Sequence, residues 1–255
     1  MKITVITAVY NSEETVGQAL KSVATQTHSD LEHLVIEGKS SDNSLTKIEK
    51  ARHPRMRLIS EPDKGIYDAL NKGIAHAAGD VIGFMHSDDF YAHDGVLASI
   101  GEVFEDPAVE AVFGDLNYVA KDDTSRVIRH WSTGSFYPRR LKYGWMPAHP
   151  TLYLRRKVYE QFGGYDISFS IAADYDFILR YFSQATGKSV HIPEVFYKMR
   201  VGGVSNRNWK KIRHKMREDM LAIRRNHVGG LHTLALKNLS KVGQFLPRPK
   251  NLIHR

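Results

Sequence analysis

Residues 2–38 read KITVITAVYNSEETVGQALKSVATQTHSDLEHLVIEG, and this stretch decides the architecture. KITVITAVY (2–10) is a short run of β-branched and apolar residues, the pattern of a buried strand. EETVGQALKSVATQ (13–26) puts Val16, Leu20 and Val23 on one face of a helix, and LEHLVIEG (31–38) is a second strand. Strand, helix and strand in so short a span form a βαβ unit with a right-handed crossover. The rhythm continues with a helix at 41–51 capped by Ser41 or Asp42, a strand at 56–61 and a helix at 66–77. A strand at 80–86, a helix at 94–106 and a strand at 109–119 follow. The expectation is an α/β fold, a Rossmann-like and mostly parallel sheet flanked by helices.

After residue 120 the alternation breaks. RVIRHW (126–131) reads as a strand, and KVYEQFGGYD (157–166) and DYDFILRYFSQATG (174–187) as helices. VHIPEVFYKMR (190–200) is a late strand that Pro193 bends or places at an edge. NWKKIRHKMREDMLAIRRNH (208–227) is a basic helix with Ile212, Met216, Met220 and Ile223 as its apolar set, and 231–246 is a second helix. The expected organisation is one domain over 1–205, with halves 1–120 and 121–205, and a basic helical extension over 206–255.

Composition narrows the chemistry. The 255 residues include no cysteine, which excludes disulfides, thiolate metal sites and cysteine nucleophiles. No run of 18 apolar residues is present, and the N-terminus reads as a first strand, not a signal peptide. The net charge of +8 is uneven: residues 200–255 carry 14 Lys/Arg against two acids, and 1–199 carry 22 against 26. The basic end is either a solvated helix face or a surface for an anionic partner.

In parallel sheets ligands bind beyond the carboxyl ends of the strands. Here those ends are polar in succession: Thr7–Asn11, Glu37–Asp42, Glu61–Gly65 and His86–Asp89. Asp88 and Asp89, leaving the apolar strand DVIGF, are either a solvated loop pair or hard oxygen ligands for Mg²⁺ or Mn²⁺.

The stretches ITAVYNSEETVGQALKSVATQT, LVIEGKSSDNS, EPDKGIYDALNKGIAHAAGDVIGFMHSDD and HPTLYLRRKVYEQFGGYDISFSIAADYDFILRY together resemble glycosyltransferase family 2, over roughly residues 1–205. The resemblance implies the GT-A fold and an inverting, metal-dependent transfer from a nucleotide-diphosphate sugar, a UDP-sugar being favoured. FMHSDD stands where the family carries its DXD-like metal motif. Asp89 then binds Mn²⁺ or Mg²⁺, and Asp88 faces the metal or the ribose. Thr7, Val9 and Tyr10 flank the nucleotide base. Glu37 stands where the family has Asp for a uracil ring, and Asp63 and Gly65 lie on the turn toward the nucleotide. Asn71 matches the Asn of an Ala-Arg-Asn motif whose Arg is Leu70 here, leaving Lys64 or Lys72 as replacement cations; equally, Asn71 is a helix residue bonding a nearby loop. Asp174 matches the Asp of the Glu-Asp motif and is the general base, although the preceding Glu is Ala173. Asp176 is an acceptor-side residue or a helix cap, and His149 an acceptor-side residue or a turn residue. VGGVSN (201–206) resembles a loop that closes over the donor.

The acceptor implied is a glycan or lipid-linked intermediate of polysaccharide synthesis. Residues 207–255 then dock on an anionic membrane surface, at the inner face of the cytoplasmic membrane. The rival readings are a nucleotidyltransferase or metal-dependent phosphohydrolase on a related α/β fold, and a basic nucleic-acid-binding protein. The first lacks a Gly-rich basic loop after the first strand. The second leaves the acidic strand ends unexplained, so no nucleic-acid partner is expected.

Overall fold

A computed structural model describes residues 1–201 and 209–240. The expected donor-closing loop therefore lies almost wholly outside the described residues, as does the end of the last helix. Four strands run parallel in the order β3 (Met56–Ser60), β2 (Leu31–Glu37), β1 (Ile3–Val9), β4 (Val81–Phe84). α1 (Val16–Ala24), α2 (Ser44–Lys50) and α3 (Ile66–His76) make the crossovers. Every residue of β1 and β2 is buried, which is why both read as near-continuous apolar runs. Their side chains still alternate: Ile6 and Ala8 join the core under α3, while Ile3 and Val5 join the one under α1 and α4 (Val96–Val103). Each such aliphatic side chain contributes about 1.5–3 kcal/mol on burial.

Beyond β4 the sheet is mixed. β8 (Tyr153–Arg155) lies antiparallel between β4 and β6 (Val109–Ala120), and β7 (Val127–Trp131) pairs antiparallel with β6. β9 (Lys188–Val201) runs parallel to β6 and carries the two-residue β5 (Phe90–Tyr91) antiparallel on its other side. Parallel pairing thus dominates the first half only. Pro193 sits in the bulge where the partner of Phe113 is His191 and that of Asp115 is already Val195. The missing N–H falls where the ladder is broken anyway.

α5 (Arg156–Phe162) and α6 (Ala173–Phe182) cover the sheet face that α3 also covers. α7 (Trp209–Arg225) and α8 (Leu231–Leu239), from the expected C-terminal extension, pack on α6 and on the 3-10 turn Pro138–Tyr143. Ala222, Ile223, Val228 and Leu234 belong to the same buried cluster as Phe84 and Phe177. Ile212 and Met216 stay exposed, so only the C-terminal half of the α7 apolar set reaches that core.

One arrangement fixes the end of β4. Gly83 lies flat on the Tyr153 ring, where any Cβ would collide. The Tyr153 hydroxyl sits between those of Tyr91 and Tyr197, 2.6 Å from the latter, and Tyr197 donates to the Phe84 carbonyl at 2.8 Å. This buried chain of hydroxyls holds the strand from which the turn His86–Asp89 departs.

Candidate active site

The four parallel strands bring their carboxyl ends to one edge, and the turn after β4 is its centre. The turn closes by a bond from the Asp89 N–H to the His86 carbonyl, 3.1 Å. The Ser87 hydroxyl meets that of Ser12 at 2.9 Å, tying the β4 loop to the β1 loop. Asp88 is exposed, whereas Asp89 is only 1% exposed. Asp89 Oδ1 accepts the Arg200 backbone N–H at 3.2 Å, but Oδ2 is buried with no hydrogen-bond partner. Burial, reinforced by the Asp88 charge, pushes the Asp89 carboxyl up to about 8, and Arg200 offsets this only in part. A buried carboxylate with an orphaned oxygen fits a divalent cation. Among the described residues no cluster of three or more His, Asp or Glu forms a complete protein cage. One or two carboxylates plus substrate phosphates is the usual arrangement for Mg²⁺.

Consecutive residues of this turn open onto three cavities. Ser87 lines a cleft of about 540 Å³ with Val9, Tyr10, Lys39, Asp63 and Gly65. Ser87 and Asp88 line a second, of about 500 Å³, with Asn11, Asp42, Lys121 and Arg200. His86 lines a third, of about 200 Å³, with His149, Asp174, Tyr118, Trp131 and Tyr175.

In the first cleft Tyr10 is 60% exposed, free to lie against a planar ring. Asp63 Oδ1 accepts the Gly65 N–H at 2.8 Å, and Gly65 starts α3 at φ +113°, a conformation that favours glycine. Asn11 and Lys39 also have positive φ, and Asn11 Oδ1 accepts the Ser41 N–H at 2.9 Å, so the β1 and β2 loops brace each other.

Three expected donor residues line neither this cleft nor the second. The Thr7 hydroxyl is buried against His33 Nε2 at 3.0 Å, within the sheet. Glu37 is fully buried, with Oε1 accepting the Ser40 N–H at 2.5 Å and Oε2 the Ser60 hydroxyl at 2.6 Å. Burial alone would raise its carboxyl, but the donors from Ser60, Ser40 and Lys39 outweigh it and hold the group below its ordinary value. Glu37 therefore shapes the β2 loop from beneath. The extra methylene over Asp brings its carboxylate within reach of Ser60 on β3. Asn71 pairs both ways with the backbone of Tyr165, at 2.8 Å each, and thereby bolts α3 to the 163–166 turn. Of its two readings, the loop-bonding one matches the geometry. Lys72 is engaged with Glu61 and Asp68, at 3.0 and 3.6 Å.

The third cavity gathers the acceptor-side candidates. Asp174 is half-buried in the first turn of α6, and the Tyr67 hydroxyl lies 3.2 Å from its Oδ1 and 2.6 Å from the Ile171 carbonyl. His149 Nε2 lies 2.7 Å from the Tyr165 hydroxyl, its ring stacks on Phe84, and His86 stands 5.8 Å away. Burial pushes His149 down to about 4, against the opposing pull of Asp174, so its imidazole is neutral at pH 7. Asp176 points the other way. It is 1% exposed, accepts from Asn226 at 3.0 Å and lies 3.6 Å from Arg180, joining α6 to α7. Asp176 is thus a packing residue and does not line the third cavity.

The sequence reading missed two participants. His86 falls within FMHSDD, two residues before the first carboxylate, and that position is the signal that singles it out. Arg200, 111 residues from Asp89, reaches the turn only because β9 pairs with β5. Its guanidinium donates to the Asp88 carbonyl and to Gln18, and it lies over the Phe90 ring at 4.8 Å.

Residues 4–163 match the family described as Glycosyl transferase family 2. An uncharacterized glycosyltransferase of Mycobacterium tuberculosis is 34% identical over 181 residues, covering 70% of this chain and 68% of that one. A PGL/p-HBAD biosynthesis glycosyltransferase of Mycobacterium bovis is 29% identical over 209 residues, covering 79% and 78%. Among solved structures, S. aureus TarS 1–349 in complex with UDP-GlcNAc superposes with a TM-score of 0.67 at 18% identity, covering 88% of this chain and 66% of that one. The mannosyltransferase PcManGT of Pyrobaculum calidifontis, in complex with GDP-Man and Mn²⁺, gives 0.66 at 18%, covering 92% and 68%. This chain spans about two thirds of either solved chain, and the likeness establishes the GT-A fold.

Proposed function

The chain belongs to glycosyl transferase family 2, and on that premise we propose that it moves a sugar from a nucleoside-diphosphate sugar to an acceptor hydroxyl with inversion. The observation that carries this reading is the turn His86–Asp89, whose successive residues open onto a nucleotide-sized cleft, an ionic cleft and the cavity of Asp174. The nucleoside lies in the first cleft, with its base against Tyr10. The diphosphate lies toward Ser87 and Asp88, where Arg200 and Lys121 supply positive charge. The transferred sugar then sits at His86, between the leaving diphosphate and Asp174. Asp89 with Asp88 would hold Mn²⁺ or Mg²⁺, and the bound cation supplies Lewis-acid neutralisation of the departing diphosphate.

Inversion needs one displacement from the face opposite the leaving group. Asp174 stands across the turn from the two clefts and takes the acceptor proton as the hydroxyl attacks. Burial lowers His86 as it does His149, and the two neutral rings offer uncharged hydrogen-bonding groups in the acceptor cavity. TarS is solved with UDP-GlcNAc and PcManGT with GDP-Man, and both nucleotides are therefore candidates here, UDP being favoured. Calorimetry with UDP, GDP, TDP and CMP, with and without Mn²⁺, tests the donor half. One diphosphate should bind only with metal. Equal binding of all four without metal would overturn the assignment.

The acceptor is proposed to be lipid-linked, in polysaccharide assembly. Support comes from α7, whose inner face carries Lys215 and Asp219 of the Asp174 cavity and whose outer face exposes Lys210, Arg213, Arg217 and Arg224 beside Trp209 and Leu221. Among the described residues no helix is long and apolar enough to cross a membrane. Sedimentation with phosphatidylglycerol vesicles should retain the chain, and R213E/R217E should release it. Equal retention of both proteins would sink the docking surface.

A further inference from the structure

Asp174 stands on a turn that makes few bonds of its own. The residue before it is Ala173, and the α6 cap residue Ala172 has no side-chain oxygen to hold the helix start. The first backbone N–H groups of a helix need partners from elsewhere. Glu218 of α7, 44 residues beyond Asp174 in the chain, takes the N–H of the cap residue Ala172 and those of the two residues leading into it. Glu218 is 8% exposed. Its Oε1 accepts the Ser170 N–H at 2.8 Å and the Ser170 hydroxyl at 2.9 Å. Its Oε2 accepts the Ile171 N–H at 2.8 Å and the Ala172 N–H at 2.9 Å. His214, one turn earlier, places Nε2 at 3.0 Å from Oε1 and 2.7 Å from the Ser170 hydroxyl.

From the opposite side Tyr67 reaches both the Ile171 carbonyl and Asp174 Oδ1. The 170–172 turn is therefore clamped between a phenol on α3 and a carboxylate on α7, and Asp174 follows it after Ala173. Two alternatives account for less. A surface ion pair would not bury the carboxylate or engage four donors. A clamp merely fastening α7 to the body would be redundant with Ile223, Asn226–Asp176 and Arg225–Asp166, which already do so.

We propose that Glu218 is a positioning residue for the transfer reaction, holding the 170–172 turn so that the Asp174 carboxylate meets the attacking hydroxyl. This rests on the reading of Asp174 as general base. It assigns to α7 the support that the chain lacks at Ala173. Burial alone would raise the Glu218 carboxyl, but the Ser170, Ile171 and Ala172 donors prevail and keep it below its ordinary value, so the acceptor is a carboxylate at neutral pH.

The test needs no identified acceptor, because water can take the acceptor's place. In that reaction water's oxygen bonds to the anomeric carbon, its proton passes to Asp174, and the anomeric C–O bond breaks with its electron pair leaving on the diphosphate. UDP-glucose, UDP-N-acetylglucosamine and GDP-mannose are offered to the full chain with Mn²⁺, and released nucleoside diphosphate is followed. Glu218→Gln keeps the shape but turns an N–H toward donors. It should lower turnover about tenfold or more while the donor KM stays within about twofold. Asp174→Asn should lower turnover at least as far, and the double variant should fall no further than Asp174→Asn alone. Multiplying effects, or a raised donor KM with unchanged turnover, would overturn the proposal. If Asp174→Asn retains full turnover, the base reading fails by itself. If it loses turnover and Glu218→Gln does not, only the role of Glu218 fails. Should Glu218→Gln not fold, Ser170→Ala removes one of the four donors. Lower turnover at unchanged donor KM then supports the proposal, and unchanged turnover overturns it.

Discussion

Replacing Asp89 by Asn should make the metal-free protein more stable at pH 7 while abolishing its response to metal. The carboxyl moves from its ordinary 3.8 to about 8 on folding, because burial and Asp88 disfavour the charged form. Between those values the folded state holds a proton that the unfolded state has lost. Stability therefore falls as pH rises through that window and levels off above pH 8. At pH 7 the gap from 3.8 corresponds to about 4 kcal/mol. Asn mimics the protonated acid, keeps an oxygen for the Arg200 N–H, and is free of that loss. Its own NH₂ takes the place of the orphaned Oδ2 and finds no acceptor, which offsets about 1–3 kcal/mol. The net gain is about 1–3 kcal/mol, or several degrees in Tm for a chain of this size. Thermal melts at pH 5, 7 and 8.5, with and without Mn²⁺, measure it. The Tm difference between Asp89→Asn and the parent should widen from pH 5 to 8.5. Mn²⁺ plus nucleotide should raise the parent Tm only. A difference independent of pH, or an Asp89→Asn protein that Mn²⁺ still stabilises, would refute the buried-carboxylate argument.

Asn71→Ala should cost about 2 kcal/mol in urea unfolding by removing both bonds to Tyr165, yet leave nucleotide affinity within about twofold by calorimetry. Tyr10→Ala should weaken nucleoside-diphosphate binding about tenfold with no change in Tm, since its ring is exposed and supports no core. For His149 the folded state resists protonation down to about 4, so the unfolded state binds more protons between pH 4 and 6.5 and stability is lost as pH falls through that range. His149→Asn should flatten that acid limb by up to about 3 kcal/mol in pH-dependent denaturant melts.

The first half of the fold was legible because its signals are local. β1, β2 and β4 are buried on both faces, so each is a short apolar run, and the amphipathic α1 and α3 link them. The expected and observed bounds differ by a few residues, mostly at the ends where polar residues leave the strands. Legibility fades where pairing is non-local. β8 is three residues long and gains its place only by packing Tyr153 under Gly83, a contact 70 residues apart that no periodicity announces. Pro193 reads as an edge or a bend, and it lies in a bulge on a stretch of β9 whose one paired neighbour is β6, since β5 reaches only Tyr197 and Lys198.

The site divides along the same line. Val9, Tyr10, Asp63, Gly65 and Asp88 line the clefts because each follows a parallel strand end, where direction follows from topology. Thr7, Glu37 and Asp176 belong to the same stretches but point elsewhere, since a one-residue step reverses a side chain in a strand and turns it by about 100° on a helix. Spacing could say that only one of Asp174 and Asp176 faces the cavity. What it could not supply is the partner that settles which, because Asn226 and Glu218 are brought in by the docking of α7 on α6. That docking also explains the uneven charge. The only two acids of residues 200–255, Glu218 and Asp219, are both buried on the inner face of α7, one under the Asp174 turn and the other between Lys215 and Lys237. The outer face is left cationic, so one helix sets the sign of the surface on one side and steadies the turn before Asp174 on the other.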